Sequence, residues 1–471
     1  MKNRKNITIE LEIESNGFEG SSVARKDGLV YFVKGAIAGD KVNALVIKKK
    51  KKYCMANMLE LLEPSPERIE PKCKYFGTCG GCSWQMLSYP NQLKWKRQHV
   101  IDSFEHIAKI SPKIIEETIP SVREFHYRNK MEYSFSASRW LFDSEIKSIS
   151  PIENKNFALG LHVPGRYDKV IDLDYCLIDE EINDEIVNKI RQKAVELKIT
   201  AYNTFTKKGF LKNLALRNSV KNNEIMVILI TDDIKEENEQ TFIDWYKTEF
   251  GEFFPTISNI VHAINNKVTP VAIGSIVFTK GRGFITEDIL GISYQISPFS
   301  FFQTNSYQLD RFIGKIIEIA DIKPTDIVWD LYCGTGSITL PAAKQAKHIY
   351  GLELSETAIG DARKNAELNN LTNVEFFCED LHRDHIPALL NSLPAPDVLI
   401  IDPPRAGMHK NLVAHLLELA PKRIVYVSCN PATQARDCEI LSDKYTIERI
   451  VPCDMFPQTY HIESIALLER R

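Results

Sequence analysis

At 471 residues, with 44% hydrophobic and 26% charged side chains, the chain has the composition of an ordinary globular protein and the length of about three domains, which excludes disordered and collagen-like classes. A formal net charge of -3 gives no global attraction to nucleic acid, so such a partner must be met by local charge. No apolar run reaches the roughly 18 residues of a membrane span, and the start Met1-Lys-Asn-Arg-Lys-Asn6 lacks the apolar core of a signal peptide; both predict a cytoplasmic protein with no membrane partner. In that compartment the ten cysteines are thiols, metal ligands or catalysts rather than disulfides.

Residues 7–13 alternate as a half-buried strand, Asp27-Gly28 makes a turn, and residues 29–33 and 41–48 follow as strands. Short strands broken by glycine turns predict a small barrel. Residues 1–60 hold twelve Lys or Arg against seven Asp or Glu, five of the cations forming the lysine run at 48–52, which makes this segment the candidate phosphate contact. Phe18, Tyr31, Phe32, Tyr75 and Phe76 could stack bases, though packing is the commoner use of such rings. Pro64-Ser-Pro66 marks a linker. Beyond it the pattern is mixed α+β, with strands at 130–137, 158–161 and 225–230 and helices at 182–197 and 240–248. After Pro298 the rhythm becomes regular. Strands at 326–332, 349–354, 374–377, 398–401, 424–427 and 465–468 alternate with helices that include 355–369 and 411–419. This predicts a mostly parallel α/β sheet with helices on both faces and ligands at the carboxyl ends of its strands. The domains implied are 1–66, 67–297 and 298–471.

Asp330-Leu-Tyr-Cys-Gly334-Thr-Gly336 lies between a strand and a helix, where glycines let the backbone approach a ligand. A dinucleotide fingerprint requires a third glycine where Thr339 stands. Glu353 ends the next strand, where it can accept from ribose hydroxyls, and Asp380 follows the one after, where it can meet an adenine edge. A glycine turn with two such acids favours S-adenosylmethionine, whose sulfonium needs no pyrophosphate cradle. Asp402-Pro-Pro-Arg405 reads by itself as a stiff turn; in position it also resembles the amine-gripping loop of amino-methyltransferases, with Arg405 in place of the aromatic residue.

Cys429 follows the apolar run Ile424-Val-Tyr-Val and precedes Pro431-Ala-Thr-Gln-Ala-Arg436, a helix start whose amino end favours a thiolate, with Thr433 as its cap. Cys54, Cys333, Cys378, Cys438 and Cys453 have no such setting and are assigned to packing or surface. Glu463 immediately precedes the last strand and can face the same cleft. A thiolate and a carboxylate together suit alkylation of uracil carbon 5. Addition of sulfur to carbon 6 makes carbon 5 nucleophilic, and a base must then remove the carbon 5 proton so that sulfur can leave. Asp402 can hold the uracil edge and stabilise the enolate.

In order along the chain, Ser300-Phe-Phe-Gln303-Thr-Asn305, Asp330 to Gly336, Asp402-Pro-Pro-Arg-Ala-Gly407, Val427-Ser-Cys429-Asn-Pro-Ala-Thr433 and Phe456-Pro-Gln-Thr-Tyr-His-Ile-Glu463 resemble the signatures of the RNA uracil-C5 methyltransferases. The resemblance implies a class I, Rossmann-like S-adenosylmethionine methyltransferase domain behind an OB-like TRAM barrel and a mixed central domain. It implies Cys429 as nucleophile, Glu463 as base, and Gln303, Tyr332, Glu353, Asp380 and Asp402 as the cofactor pocket. Ser337 stands where some members carry Asn. Cys73, Cys79 and Cys82 have metal-ligand spacing, with zinc and iron–sulfur both open from spacing alone. By resemblance Cys176 completes a structural [4Fe-4S] site and favours 23S rRNA as substrate, with tRNA the alternative and a monomer the working form. Two competing functions are base N-methylation through the Asp402 loop and a non-catalytic iron–sulfur RNA-binding protein.

Overall fold

The computed structural model describes residues 7–152, 154–268, 271–383 and 385–471. Residues 1–6, read above as lacking a signal-peptide core, lie outside them.

Strands Ile7–Glu12, Ser15–Asn16, Ser22–Lys26, Leu29–Lys34, Lys41–Lys49 and Tyr53–Glu63 form one six-stranded sheet. Its two end strands are the first two in the chain, and the segment joining them closes the sheet on itself: Ile13 N–H donates to Asp40 O at 2.9 Å and Glu14 N–H to Val23 O at 2.8 Å. Alternate residues such as Val42, Ala44, Cys54 and Ala56 point inward and fill the barrel. The five lysines at 48–52 are exposed at the hairpin tip. The proline pair after the barrel is no loose linker. Ser65 between the prolines is buried; its N–H donates to Asp40 Oδ1 at 2.9 Å, and Arg68 grips the same buried carboxylate through two nitrogens at 3.0 and 2.5 Å.

The central sheet has seven strands in the order Ser275–Lys280, Ile257–Ile264, Glu224–Thr231, Leu211–Ser219, Lys130–Ser136, Ala158–Val163, Arg166–Asp172. Leu214, Leu216, Val227 and Leu229 pack on one face with helices Glu181–Glu196 and Glu237–Thr248. Ala215, Met226, Ile228 and Ile230 pack on the other face with the hairpin Ile285–Ile289/Ile292–Ile296 and with α1 (Ser306–Ala320). Burial on both faces is why these two strands read as continuous apolar runs. One core therefore runs through Pro298 without a break.

The third sheet contains β1 (Ile327–Leu331), β2 (His348–Glu353), β3 (Val374–Cys378), β4 (Val398–Ile401), β5 (Arg423–Ser428), β6 (Tyr445–Cys453) and β7 (Glu463–Arg470), in the order β3-β2-β1-β4-β5-β7-β6. Only β7 runs against the others. Helices α2 (Thr339–Ala343), α3 (Glu356–Leu368), α4 (Ile386–Ser392), α5 (Lys410–Leu419) and α6 (Pro431–Leu441) alternate with the strands. Strand β6 escapes the sequence pattern because Glu448, Arg449 and Pro452 interrupt it, a composition that an edge position tolerates. The helix Tyr89–Ser103 escapes it too, because its buried side includes Gln92, Lys96 and His99. It packs Val100 and Ile101 under the third sheet, and its His99 Nε2–H donates to the barrel carbonyl of Asn16 at 2.8 Å. No helix of the described residues is long and apolar enough to cross a membrane.

Candidate active site

The loops at the carboxyl ends of β1, β2, β3, β4 and β5, with the segment before β7, enclose a cavity of about 870 Å³. All seven residues singled out above for catalysis and cofactor binding line it: Gln303, Tyr332, Glu353, Asp380, Asp402, Cys429 and Glu463. It is also lined by Arg128, Phe301, Arg405, Phe456 and His461. Arg128 comes from the central domain and carries no local sequence signal. Arg405 and His461 stand inside motifs already quoted, and their signal was position beside Asp402 and Glu463.

At one end of the cavity the glycine turn has left-handed backbone at Tyr332, Gly334 and Gly336, with φ of 65°, 56° and 82°. A side chain at Gly334 would meet nothing within 4 Å, so the space above it is open to a ligand. The Tyr332 hydroxyl is buried without a partner, a group that a bound molecule would satisfy. Thr339, at the place of a third glycine, donates its hydroxyl to Asp330 Oδ2 at 2.5 Å, while Oδ1 is unpartnered. Burial pushes Asp330 up to about 7 despite that bond. Glu353 accepts from Ser355 N–H at 2.9 Å and Gly334 N–H at 3.3 Å. Asp380 accepts from His382 N–H at 3.0 Å and Arg383 Nε–H at 3.1 Å; the His382 bond leads in holding it below the usual carboxylate range.

At the other end Cys429 directly follows β5. The cap of α6 is Asn430, whose side chain accepts from Ala432 N–H at 3.2 Å, and not Thr433 as expected. Thr433 Oγ1 instead donates to the carbonyls of Asn430 at 3.1 Å and Arg405 at 3.2 Å, and Asn430 Nδ2 also donates to Arg405 O at 3.0 Å. These bonds pin the Asp402–Gly407 loop to the helix start. Gly407 has φ 77°, and a Cβ there would lie 2.6 Å from Arg436 Nη2 and 2.7 Å from Asp437 Oδ2, so only glycine fits. The pinned loop holds the Arg405 guanidinium near Cys429 and within 3.2 Å of His461 Nδ1. His461 is pushed down to about 4 by burial and by Arg405, Lys96 and Arg128, and so is neutral and able to accept.

The helix start does not make Cys429 a resting thiolate. Burial, then the charges of Glu463 and Asp402, push the thiol up to about 11, with Arg405 opposing. Burial, and after it the two carboxylates, outweigh the partial positive charge of a helix end. Glu463 is 7% exposed and pushed well above its ordinary value by burial and then by Asp402, with Arg405 opposing. Asp402 is pushed to about 7 by burial and the charge of Asp330. One cavity thus joins a thiol, two carboxyl groups that titrate above the ordinary range, and a cation, a combination suited to covalent acid–base chemistry.

Cys73, Cys79, Cys82 and Cys176 line a second, small cavity with Tyr75, Phe76, Gln85, Leu161 and Tyr175. Burial pushes all four thiols up, Cys82 to about 12. Among the described residues no three His, Cys, Asp or Glu converge on a position for one metal ion. Of the cysteines assigned above to packing or surface, Cys54, Cys333, Cys438 and Cys453 are buried and Cys378 is exposed.

Residues 288–471 match the family described as tRNA (Uracil-5-)-methyltransferase, and residues 3–59 match the TRAM domain. An RNA methyltransferase of Chlorobaculum tepidum is 40% identical over 471 residues, covering 99% of this chain and 97% of that protein. The chain belongs to the RNA uracil-5-methyltransferase family. An RNA methyltransferase of Bacteroides thetaiotaomicron is 38% identical over 454 residues, covering 96% and 99%. Among solved structures, the Pyrococcus abyssi tRNA (uracil-54, C5)-methyltransferase in complex with S-adenosyl-L-homocysteine is 28% identical with a TM-score of 0.74, covering 98% of this chain and all of that one. This RNA uracil-5-methyltransferase is an S-adenosylmethionine-dependent enzyme with an amino-terminal TRAM barrel.

Proposed function

We propose that the enzyme methylates carbon 5 of a uridine in 23S rRNA, with Cys429 as nucleophile and Glu463 as the base. The observation that carries the mechanism is the shared cavity: Cys429, Asp402 and Glu463 face the space that extends over the open glycine turn. Bound S-adenosylmethionine supplies the methyl group that carbon 5 receives. Tyr332 offers it an unpartnered hydroxyl, Glu353 and Asp380 offer carboxylates, and Gln303 and Asp402 complete the pocket.

Asp402, titrating near 7, takes the Cys429 proton. The thiolate adds to carbon 6 of the extruded uracil, and the displaced electron pair moves through carbon 5 towards the carbonyl oxygen. A protonated Asp402 no longer repels charge on Glu463, and Arg405 favours its ionised form. After methylation Glu463 takes the carbon 5 proton, the carbon–sulfur bond breaks, and Cys429 leaves as thiolate and recovers its proton. One proton is released per methyl group transferred.

The same reading assigns a structural [4Fe-4S] cluster to Cys73, Cys79, Cys82 and Cys176. What supports it is the lining of one small cavity by all four thiols, thiolate being the ligand type that iron–sulfur clusters take. The reaction moves no net electrons, so the cluster would hold structure. Ribosomal RNA is preferred on the resemblance of the four-cysteine pattern to the family's ribosomal branch. The tRNA activity named for the Pyrococcus abyssi structure supports tRNA as the second reading. The proposed working form is a monomer in the cytoplasm. Mapping 5-methyluridine in 23S rRNA and tRNA with and without the gene decides the substrate. Loss of one 23S rRNA site upholds the proposal, and loss from tRNA alone replaces it with the second reading.

A further inference from the structure

The segment that carries Phe456, His461 and Glu463 into the cavity is held from a distant part of the chain by buried polar groups. Gln92 is completely buried. Its Oε1 accepts from Gln458 N–H at 2.9 Å, and the two hydrogens of its Nε2 are shared among Gln458 Oε1 at 3.0 Å and the Leu87 and Trp84 carbonyls at 2.9 and 3.1 Å. Gln458 has φ 67°, a left-handed backbone that persists only where surrounding contacts enforce it. Its carbonyl accepts from Ser83 and Trp84 N–H at 2.9 and 3.0 Å. One helical turn on from Gln92, Lys96 Nζ donates to Asp454 Oδ1 at 2.5 Å and to Phe456 O at 3.0 Å, while Tyr89 donates to Asp454 Oδ2 at 3.0 Å. Lys96 and Asp454 have fully buried side chains.

We propose that Gln92 and Lys96 are positioning residues for Glu463, fixing the turn at Gln458 and the start of the segment at Asp454 so that the carboxylate faces carbon 5. The packing supports this beyond simple stability. A helix that needed only to be buried would present hydrocarbon here, yet two polar side chains direct four of their six hydrogen bonds to Asp454, Phe456 and Gln458, on the stretch that leads to the base. This inference rests on Glu463 as the base.

The step that depends on Glu463 comes last, so misplacing it should stall the enzyme as a covalent complex with RNA. The test compares wild type, Glu463→Gln, Gln92→Leu and the paired Lys96→Met/Asp454→Leu, which removes both buried charges together. Each is incubated with S-adenosylmethionine and RNA transcribed with uridine or with 5-fluorouridine, and denaturant-stable adduct and turnover are measured. Gln92→Leu and the paired variant are expected to form adduct with 5-fluorouridine RNA within about threefold of the wild-type rate. They should turn over uridine RNA at least tenfold more slowly and accumulate adduct on it. Adduct from Glu463→Gln but not from the two positioning variants overturns the inference, as does an equal loss in both assays, which marks a merely structural role. Absence of adduct from Glu463→Gln on uridine RNA overturns instead the reading of Glu463 as the base. Should Gln92→Leu fail to fold, the paired variant decides by the same readout.

Discussion

Replacing Arg405 with Met tests how the nucleophile is poised. Cys429 is pushed up to about 11, with Arg405 the cation that opposes the two carboxylates. At pH 8 a thiol of that kind is ionised to about one part in a thousand. Arg405 is exposed at the cavity mouth, so its charge acts through a largely aqueous medium and contributes roughly 1–2 kcal/mol rather than the larger value of a buried pair. That is about one pKa unit, or roughly tenfold in thiolate. The variant should alkylate with iodoacetamide at Cys429 about tenfold more slowly at pH 8. Because its thiol ionises at higher pH, the deficit should shrink as pH rises through the wild-type value. Peptide mapping separates Cys429 from the exposed Cys378. Unchanged alkylation across the pH range would refute the role given to Arg405, and a deficit constant with pH would point to altered access rather than altered ionisation.

Three further outcomes follow from the same geometry. Asp402 and Glu463 must lose protons to work and both titrate above their ordinary range, Asp402 near 7, so kcat/KM should fall as pH drops below about 7 rather than below the ordinary carboxylate range; an acid limb near 4 in a pH–rate profile would contradict this. Gly407→Ala forces a left-handed alanine against Arg436 and Asp437, costs about 1–2 kcal/mol from backbone alone, and should lower kcat far more than it weakens RNA binding; kinetics and a filter-binding assay read the two separately, and unchanged kcat would show that the loop does not need its pinned form. Replacing the five exposed lysines at 48–52 with Gln should flatten the salt dependence of RNA binding, by roughly 0.7–0.9 in log–log slope for each phosphate that is no longer neutralised, and leave the modified nucleoside the same; an unchanged slope would remove the barrel tip from the RNA footprint.

The sequence shows the residues that line the cavity more clearly than it shows what holds them. Cys429, Glu463 and the acids at successive strand ends can be read because each sits at a strand terminus, where α/β topology converges. Six of the seven strands of the third sheet can be read from apolar runs, whereas β6 is hidden by Glu448, Arg449 and Pro452. Gln92 and Lys96 give no such signal. They are polar residues on a helix without an apolar stripe, and their purpose lies about 360 residues away in the chain. Arg128 reaches the cavity through domain packing, which no local pattern encodes. The helix-start argument for a depressed Cys429 fails for a related reason: the burial that chiefly reverses it, and the two carboxylates that add to it, come from the packing of other loops around the thiol.

The central claim is a transient carbon–sulfur bond at Cys429. Its most direct test is mass spectrometry of the complex formed with S-adenosylmethionine and RNA containing 5-fluorouridine, after digestion of both polymers. The account predicts a methylated fluorouracil nucleotide joined to the peptide that carries Cys429. A Cys429→Ala enzyme that still makes 5-methyluridine, or an adduct on another residue, would contradict it.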